Sequence, residues 1–358
     1  MMPYRQHRRN ALQAALPRPT PEDASERLTD ILLRSEPAFP QFLIDSGLAS
    51  IWHDRLTDPA HVEQLLPGLM EQLRAKRFGD AALYAVQRSC LTQVDVLFSN
   101  AGIAYAVIKG AHVRELVYED PAVRPASDID VLIAPADREA AARLLIDAGY
   151  TMDAKAQNIS HEATFSKEPV HIDLHWDILR PGRTRIPMTG PMLARRSRTK
   201  DFFSLEDSDA VFLMLVHPAF NKYVSSPNAV LPSIADFLSW SSTRPVDWAT
   251  VKTRLGAAGV TTSAWAVLSW WSLLLERDLP GVPPDFIGQL KPGHLRQRYL
   301  LQWLDRDLPS RLFEMSFLIK SGFTLFLHDR PADAVRAVTG LARARQQQQT
   351  DPLMRLGR

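Results

Sequence analysis

The segment DIDVLIAP, which begins at Asp128, most constrains the fold because it places two carboxylates at the start of an apolar strand. Side chains alternate along a strand, so Asp128 and Asp130 are predicted to project from the same face. A second alternating segment, VHIDLHWDI, places His171, Asp173 and His175 on one face. Three carboxylates converge if these two strands are neighbours in a sheet.

Such a cluster favours a bound cation, because two like charges about 4 Å apart repel by about 4 kcal/mol at an effective dielectric of about 20. Oxygen ligands select hard ions, so the predicted metal is Mg²⁺ or Mn²⁺, held by Asp128, Asp130 and Asp173. A paired-metal site of this kind binds nucleotide phosphates and activates an incoming hydroxyl. The D-x-D pair alone is weak evidence, since Asp128 could equally cap a turn.

A strand, a tight turn and a helix are predicted just before the acidic pair, in AYAVIKG and AHVRELVY. Gly110 lets backbone amides approach a ligand, and the N-terminus of the following helix favours phosphate. Lys109 adds a positive charge for phosphate oxygens, or simply reaches water. Arg124 either binds the triphosphate or pairs with Glu119 or Asp120.

The rest of the chain is predicted to be mostly helical, because apolar residues recur at spacings of three and four. The fold class is therefore α+β, with a small mixed sheet between two helical regions. The end of the chain combines a glutamine run with scattered arginines and little to bury. The predicted divisions are a loose N-terminal arm (residues 1–20), an N-terminal helical region (21–99), an α/β core (100–180), a C-terminal helical domain (181–335) and a flexible tail (336–358).

Composition narrows the function classes only a little. A formal net charge of +2 over 358 residues neither indicates nor excludes a nucleic-acid partner. The single cysteine, Cys90, excludes an internal disulfide and a cysteine-type zinc site, which favours a cytoplasmic setting. The first twenty residues are basic and lack the apolar core of a secretory signal. The longest apolar run, residues 264–275, is too short to span a bilayer, so its tryptophans are predicted to pack in a buried helix.

Four segments together resemble one known family: IKG ending at Gly110, RPASDIDVL beginning at Arg124, AGY ending at Tyr150, and HIDLHW beginning at His171. The pattern is similar to that of the uncharacterised bacterial nucleotidyltransferase family of the DNA polymerase β-like superfamily, which is L-K-G, R-x-x-S-D-I-D and V-D-L-H-W. Residues 100–180 carry this resemblance strongly. The wider superfamily commonly has Gly-Ser where this chain has Lys-Gly. The phosphate contacts of this chain are therefore expected to differ in detail from those of the superfamily.

The resemblance implies a polymerase β-like core with defined roles for individual residues. Metal and catalytic roles fall to Asp128, Asp130 and Asp173, and Lys109 and Gly110 begin the turn that binds the nucleotide phosphates. Apart from the resemblance, Arg124 and Ser127 are predicted to contribute to nucleotide binding. His175, on the same strand face as Asp173, is predicted either to orient a carboxylate or to be purely structural. A zinc site built on the H-x-D-x-H pattern is disfavoured, because carboxylates outnumber the softer ligands.

The predicted reaction moves a nucleoside monophosphate from a nucleoside triphosphate to an acceptor hydroxyl and releases pyrophosphate. Some members of the family are encoded beside peptide or polysaccharide biosynthesis genes, which suggests a peptide or a sugar as the acceptor. Two alternatives stay open. One is a toxin-like enzyme that adds nucleotides to transfer RNA, and the other is a non-catalytic, nucleotide-binding scaffold. The sequence indicates neither the base preference nor the oligomeric state.

Overall fold

A mixed sheet lies at the centre of the computed structural model, which describes residues 3–153, 161–222, 230–348 and 351–356. Its strands are β1 (Tyr105–Ile108), β2 (Ile129–Ile133), β3 (Thr151–Asp153), β4 (Glu162–Lys167), β5 (Val170–His175), β6 (Ser197–Arg198) and β7 (Phe203–Ser204). Within these ranges the sheet is seven-stranded, in the order β3-β4-β5-β2-β1-β7-β6.

The centre of the sheet brings the two predicted acidic strands together. Strands β2 and β5 are parallel neighbours, and their register pairs Asp130 with Asp173. Strand β1 runs antiparallel to β2, and β4 runs antiparallel to β5. The expectation that the two acidic strands are sheet neighbours is therefore confirmed.

Helices precede, interrupt and follow the sheet. Before it come α1 (Pro3–Ala11), α2 (Pro21–Arg34), α3 (Phe39–Asp45), α4 (Ala49–Arg55), α5 (Pro59–Leu65) and α6 (Leu69–Asn100). Between strands lie α7 (Lys109–Val117), α8 (Arg138–Asp147) and α9 (Thr189–Ala194). After it come α10 (Asp207–His217), α11 (Leu231–Thr243), α12 (Trp248–Ala258), α13 (Thr261–Leu275), α14 (Phe286–Gln289), α15 (His294–Asp305), α16 (Leu308–Arg311), α17 (Phe317–Phe326), α18 (Pro331–Gln348) and α19 (Leu353–Leu356). The α+β fold class is confirmed.

Each face of the sheet packs against its own hydrophobic core. On one face, Val131 and Leu174 pack with Phe98 of α6 and Leu145 of α8. The other face turns polar toward β4 and β5, and its apolar part, such as Leu132, joins a larger core that both helical regions build. Residues 21–99 and 181–335 thus contribute to one shared core. Helices that precede the sheet in the sequence and helices that follow it both pack on this face.

The predicted loose N-terminal arm differs from the structure. Helix α1 packs on α13, where Arg5 donates to the carbonyl of Leu273 at 2.6 Å and Arg9 to that of Leu274 at 3.0 Å. Its last residue, Ala11, is fully buried. The arginines that suggested a solvated arm instead bind backbone carbonyls at the C-terminal end of a helix, where positive charge is favoured. Residues 1–2 lie outside the described ranges.

The C-terminal boundaries also differ from the prediction. The expected tail begins inside α18, and Leu353 of α19 is buried in the core beneath the sheet. Asp333 at the start of α18 binds Arg185 at 2.8 Å, which fastens this helix to the chain. The sheet also continues past residue 180 into β6 and β7, so the predicted C-terminal helical domain (181–335) contains two short strands near its start. Residues 349–350 and 357–358 lie outside the described ranges.

Across the described ranges, every helix is too short or too polar to cross a membrane. The apolar helix α13 instead lies in the core, where Trp265 and Trp270 are each 2 % exposed and Trp271 is fully buried. The prediction that these tryptophans pack is confirmed.

Candidate active site

Three polar side chains converge where β2 and β5 run side by side. Ligand-type atoms of Asp130, Asp173 and His175 all lie within 4.8 Å of one another. His175 Nε2 is 2.8 Å from Asp130 Oδ1, and Thr164 on β4 donates to Asp173 Oδ1 at 2.7 Å. Because alternate residues of adjacent strands share a face, the sheet itself holds these groups together.

Lys109 lies directly against this group. Its Nζ is 2.5 Å from Asp130 Oδ1 and 3.1 Å from His175 Nε2. The backbone of Lys109 has φ 55°, in the left-handed region that side chains other than glycine rarely adopt. This conformation occurs at the point where β1 ends and α7 begins, so the turn aims the ammonium group back at the sheet.

The pKa values of the two carboxyl groups in the site, Asp130 and Asp173, shift in opposite directions. Burial alone would raise the pKa of Asp130, but Lys109 and His175 outweigh it and the pKa is lowered. Burial, reinforced by the charge of Asp130, raises the pKa of Asp173. Burial alone would lower the pKa of Lys109, yet the carboxylates around it, Asp130 first, raise it. Negative charge is therefore concentrated on Asp130, which already attracts the ammonium group of Lys109.

Asp128 and Ser127 lie at the wall of the adjoining pocket. Asp128 immediately precedes β2, and with Asp130 it lines a pocket of about 290 Å³. The tight group of described ligand atoms contains Asp130 and Asp173 together with His175, and Asp128 stands beside it. The predicted convergence of three carboxylates is thus realised for two of them, while Ser127 is exposed at the rim.

Arg124 binds a partner that neither sequence interpretation named. Its Nε and Nη2 donate to the two oxygens of Asp236 on α11, at 2.8 and 2.7 Å. Burial lowers the pKa of Arg124, and the Asp236 carboxylate more than offsets this, so the pKa is raised. Pairing with Glu119 or Asp120 is wrong, because Asp236 accepts from Nε and Nη2 of Arg124, and Asp120 instead pairs with Arg77.

Gly110 has a packing role that the phosphate-turn interpretation did not anticipate. A Cβ built on Gly110 would lie 2.8 Å from Arg124 Nη2, closer than real Cβ contacts allow. Two hydrogen bonds to Asp236 hold that guanidinium in place, so it cannot easily move aside. The absence of a side chain at Gly110 therefore lets the Arg124 guanidinium pack against the start of α7.

We expect Gly110→Ala to lower the free energy of unfolding by about 1–3 kcal/mol, the usual cost of overpacking a fixed site. Gly79→Ala is the matched control, since a Cβ there meets nothing within 4 Å and the site lies within α6. That substitution should raise stability by about 0.5–1 kcal/mol. Urea unfolding of both variants measures the difference, and equal effects would contradict the close contact.

The pocket extends from the carboxylates toward the C-terminal helices. Its apolar wall includes Leu213 and Met214 of α10, and Pro232 of α11. His217, the last residue of α10, also lines it. Its position in an apolar helix gave no signal of a pocket, which forms only when α10 packs across α7.

Two further polar residues near the site escaped the sequence interpretation. His161 and Glu162 stand at the start of β4, and Glu162 pairs in register with His175. Glu162 Oε2 lies 3.1 Å from His175 Nδ1. His161 and Glu162 are part of no recognised sequence motif. Only the alternation of side chains along β4 could have indicated that Glu162 lies on the polar face of the sheet.

Comparison with known proteins agrees with this geometry. A family described as uncharacterised nucleotidyltransferase matches residues 37–276, well over half of the chain. No curated protein and no solved structure matches the chain significantly. The matched region holds the whole of the site, from Lys109 and the acidic strands to the pocket wall at Asp236. The chain therefore belongs to the uncharacterised nucleotidyltransferase family and is a transferase of that kind.

Proposed function

We propose that this protein transfers a nucleoside monophosphate from a nucleoside triphosphate to an acceptor hydroxyl, with magnesium, and releases pyrophosphate. The observation that carries the proposal is the in-register pair of Asp130 and Asp173 beside a cationic helix start. Asp130 of this pair, together with Asp128, lines a pocket of about 290 Å³, a volume suited to a small ligand. Asp130 is buried and Asp173 is partly buried, so two neighbouring carboxylates at this position favour a bound cation.

The donor atoms fit a hard divalent ion. Asp130 and Asp173 offer carboxylate oxygens within 4.8 Å of each other, and Asp128 stands beside them on the pocket wall. The Lys109 ammonium against Asp130 supports this assignment, since the pair attracts positive charge. These three aspartates would hold Mg²⁺ or Mn²⁺, which neutralises phosphate oxygens and stabilises the departing pyrophosphate.

The residues around α7 are suited to the triphosphate. Within the described ranges no side chain caps the N-terminus of α7, and Lys109 supplies a positive charge at the same end. Ser127 offers an exposed hydroxyl at the rim. Arg124 is better suited to positioning than to binding phosphate, because Asp236 already takes two of its donor nitrogens.

The transfer step follows from these placements. The acceptor oxygen forms a bond to the α-phosphorus as the bond from that phosphorus to the β-phosphate oxygen breaks, and pyrophosphate leaves in line. The hydroxyl proton passes to Asp173, whose raised pKa makes it the better proton acceptor of the two carboxylates. Asp130, whose pKa is lowered, keeps its charge throughout.

The proposal is tested without knowing the acceptor. Urea unfolding of the wild type is measured with each of four nucleoside triphosphates, with and without Mg²⁺. A nucleotide at a hundredfold its dissociation constant should add about 2.7 kcal/mol of stability, and only when Mg²⁺ is present. Asp130→Asn should lose this increment, while Glu139→Gln on the exposed face of α8 should keep it. Equal increments in wild type and Asp130→Asn would overturn the assignment.

A pyrophosphate assay then separates the alternatives. Release that appears when peptides or sugars are added supports the proposal, and release that requires transfer RNA supports the toxin-like enzyme. Nucleotide-dependent stabilisation with no release from any of these acceptors favours the non-catalytic scaffold.

A further inference from the structure

A second group of ligand-type side chains lies one strand away from the carboxylate pair. Atoms of His161, Glu162 and His175 all lie within 4.8 Å of one another. Glu162 and His175 face each other across the antiparallel pair β4–β5, and His161 directly precedes β4. The group offers two imidazole nitrogens and one carboxylate oxygen.

The spacing fits a small tetrahedral ion. Glu162 Oε2 is 3.1 Å from His175 Nδ1 and 3.4 Å from His161 Nε2. Ligands at bond lengths of about 2.0–2.1 Å on a tetrahedral zinc ion lie about 3.3–3.4 Å apart. Two of the three separations are therefore already close to those that such an ion requires, and the ligand atoms of the two histidines lie within 4.8 Å of each other.

The orientation of His175 is a separate observation in favour of a metal. Its Nε2 lies 2.8 Å from Asp130 Oδ1, and an N–H at this position would donate to the carboxylate. Its Nδ1 then carries a lone pair toward Glu162, and it makes no hydrogen bond within the described ranges. A histidine that binds a metal through one nitrogen typically donates its other N–H to a carboxylate, and Asp130 stands in the position of that carboxylate beside His175 Nε2.

Burial and access also suit a bound ion. His161 and His175 are 3 % and 1 % exposed, so bulk water does not solvate either ring. The side chain of Glu162 is 29 % exposed, which leaves a route from solvent. Imidazole nitrogens prefer zinc over magnesium, so this group differs in selectivity from the oxygen ligands of Asp130 and Asp173.

We infer that His161, Glu162 and His175 bind one Zn²⁺ between β4 and β5, with a fourth position open to water. Asp130 orients His175 for this ion, so a single hydrogen bond joins the zinc site to the carboxylate pair. The competing arrangement is an imidazolium of His175 between Asp130 and Glu162, which needs no metal at all.

The test uses the full chain without nucleotide, stripped of metal and then supplied with Zn²⁺ in excess Mg²⁺. Competition with a chromophoric chelator gives the affinity, and Co²⁺ in place of Zn²⁺ gives a visible spectrum that reports the coordination. One equivalent should bind. His161→Gln and Glu162→Gln should each weaken binding by more than about tenfold. His171→Gln is the matched control, since this β5 histidine contacts Ser166 Oγ at 2.9 Å and stands outside the group.

Two results would overturn the inference. No binding to the wild type in excess Mg²⁺ favours the imidazolium arrangement. Binding that Asp173→Asn removes but His161→Gln preserves places the ion at the carboxylate pair instead. Far-UV circular dichroism and urea unfolding of each metal-free variant check that the fold is retained, and two independent ligand variants keep the result interpretable if one fails to fold.

Discussion

Asp236→Ala should lower the free energy of unfolding by about 3–5 kcal/mol, because it leaves the Arg124 guanidinium buried without its carboxylate. Arg124 is 7 % exposed and Asp236 is 3 % exposed, so solvent cannot replace the lost partner. Tyr118 also loses a hydrogen bond, since its hydroxyl donates to Asp236 Oδ1 at 3.1 Å. Urea unfolding at pH 7 measures the change.

Two further variants distinguish the loss of the buried Arg124–Asp236 pair from a general effect of removing a charged side chain. Glu139→Ala breaks an exposed pair with Arg143, at 3.8 Å, and should change stability by less than about 0.5 kcal/mol. Arg124→Met combined with Asp236→Leu should recover much of the loss, because no unpaired charge is then buried. An effect of Asp236→Ala as small as that of Glu139→Ala would show that the pair does not hold α11 to the loop before Asp128.

Acidification from pH 7.5 to 5.5 should destabilise the protein by about 3 kcal/mol through two buried histidines. Burial, and then Arg244, lowers the pKa of His112 to about 3, and burial, and then Arg183, lowers that of His328 to about 4. Both stay neutral in the folded state while they take up protons near pH 6.5 in the unfolded state. Their stabilising effect is complete above pH 6.5 and falls by up to about 1.4 kcal/mol each at pH 5.5.

Substitution of these histidines should flatten the pH dependence. His112→Gln and His328→Gln should each remove up to about 1.4 kcal/mol of the loss between pH 7.5 and 5.5, whatever their stability at pH 7.5. His61→Gln on the exposed surface of α5 is the matched control. Urea midpoints at several pH values give the slope, and a wild-type slope of zero in this range would contradict the prediction. Measurements stop at pH 5.5 because carboxyls titrate below it.

The paired carboxylates were predictable because the information is local. Alternation along each strand fixed the faces of Asp130 and Asp173, and apolar neighbours fixed their burial. Their in-register pairing needed the order of the strands, which the residues alone do not encode. The phosphate-turn interpretation of Lys109 and Gly110 was correct in its elements, since a strand ends and a helix begins there. The left-handed backbone of Lys109, however, was not predicted, because no residue pattern at this position indicated it.

The parts that sequence reasoning missed depend on distant partners. Arg124 meets a carboxylate 112 residues away, so nearby acidic residues were a misleading guide. The basic N-terminal segment was expected to be solvated because its partners, at Leu273 and Leu274, lie at the other end of the sequence. His161 and Glu162 carry no spacing motif, and they become a group only when β4 pairs with β5. Pairings of this kind are set by packing and topology, which no short pattern records.

The docking of α1 on α13 imposes an order of events during synthesis. Arg5 and Arg9 cannot reach their carbonyl partners until about 265 more residues have been made. At typical elongation rates of about 5–20 residues per second, that interval lasts roughly 15–50 s. Throughout it, α1 lacks the two carbonyl groups that Arg5 and Arg9 bind in the folded protein. The contact between α1 and α13 is therefore a late event, which follows the synthesis of most of the chain.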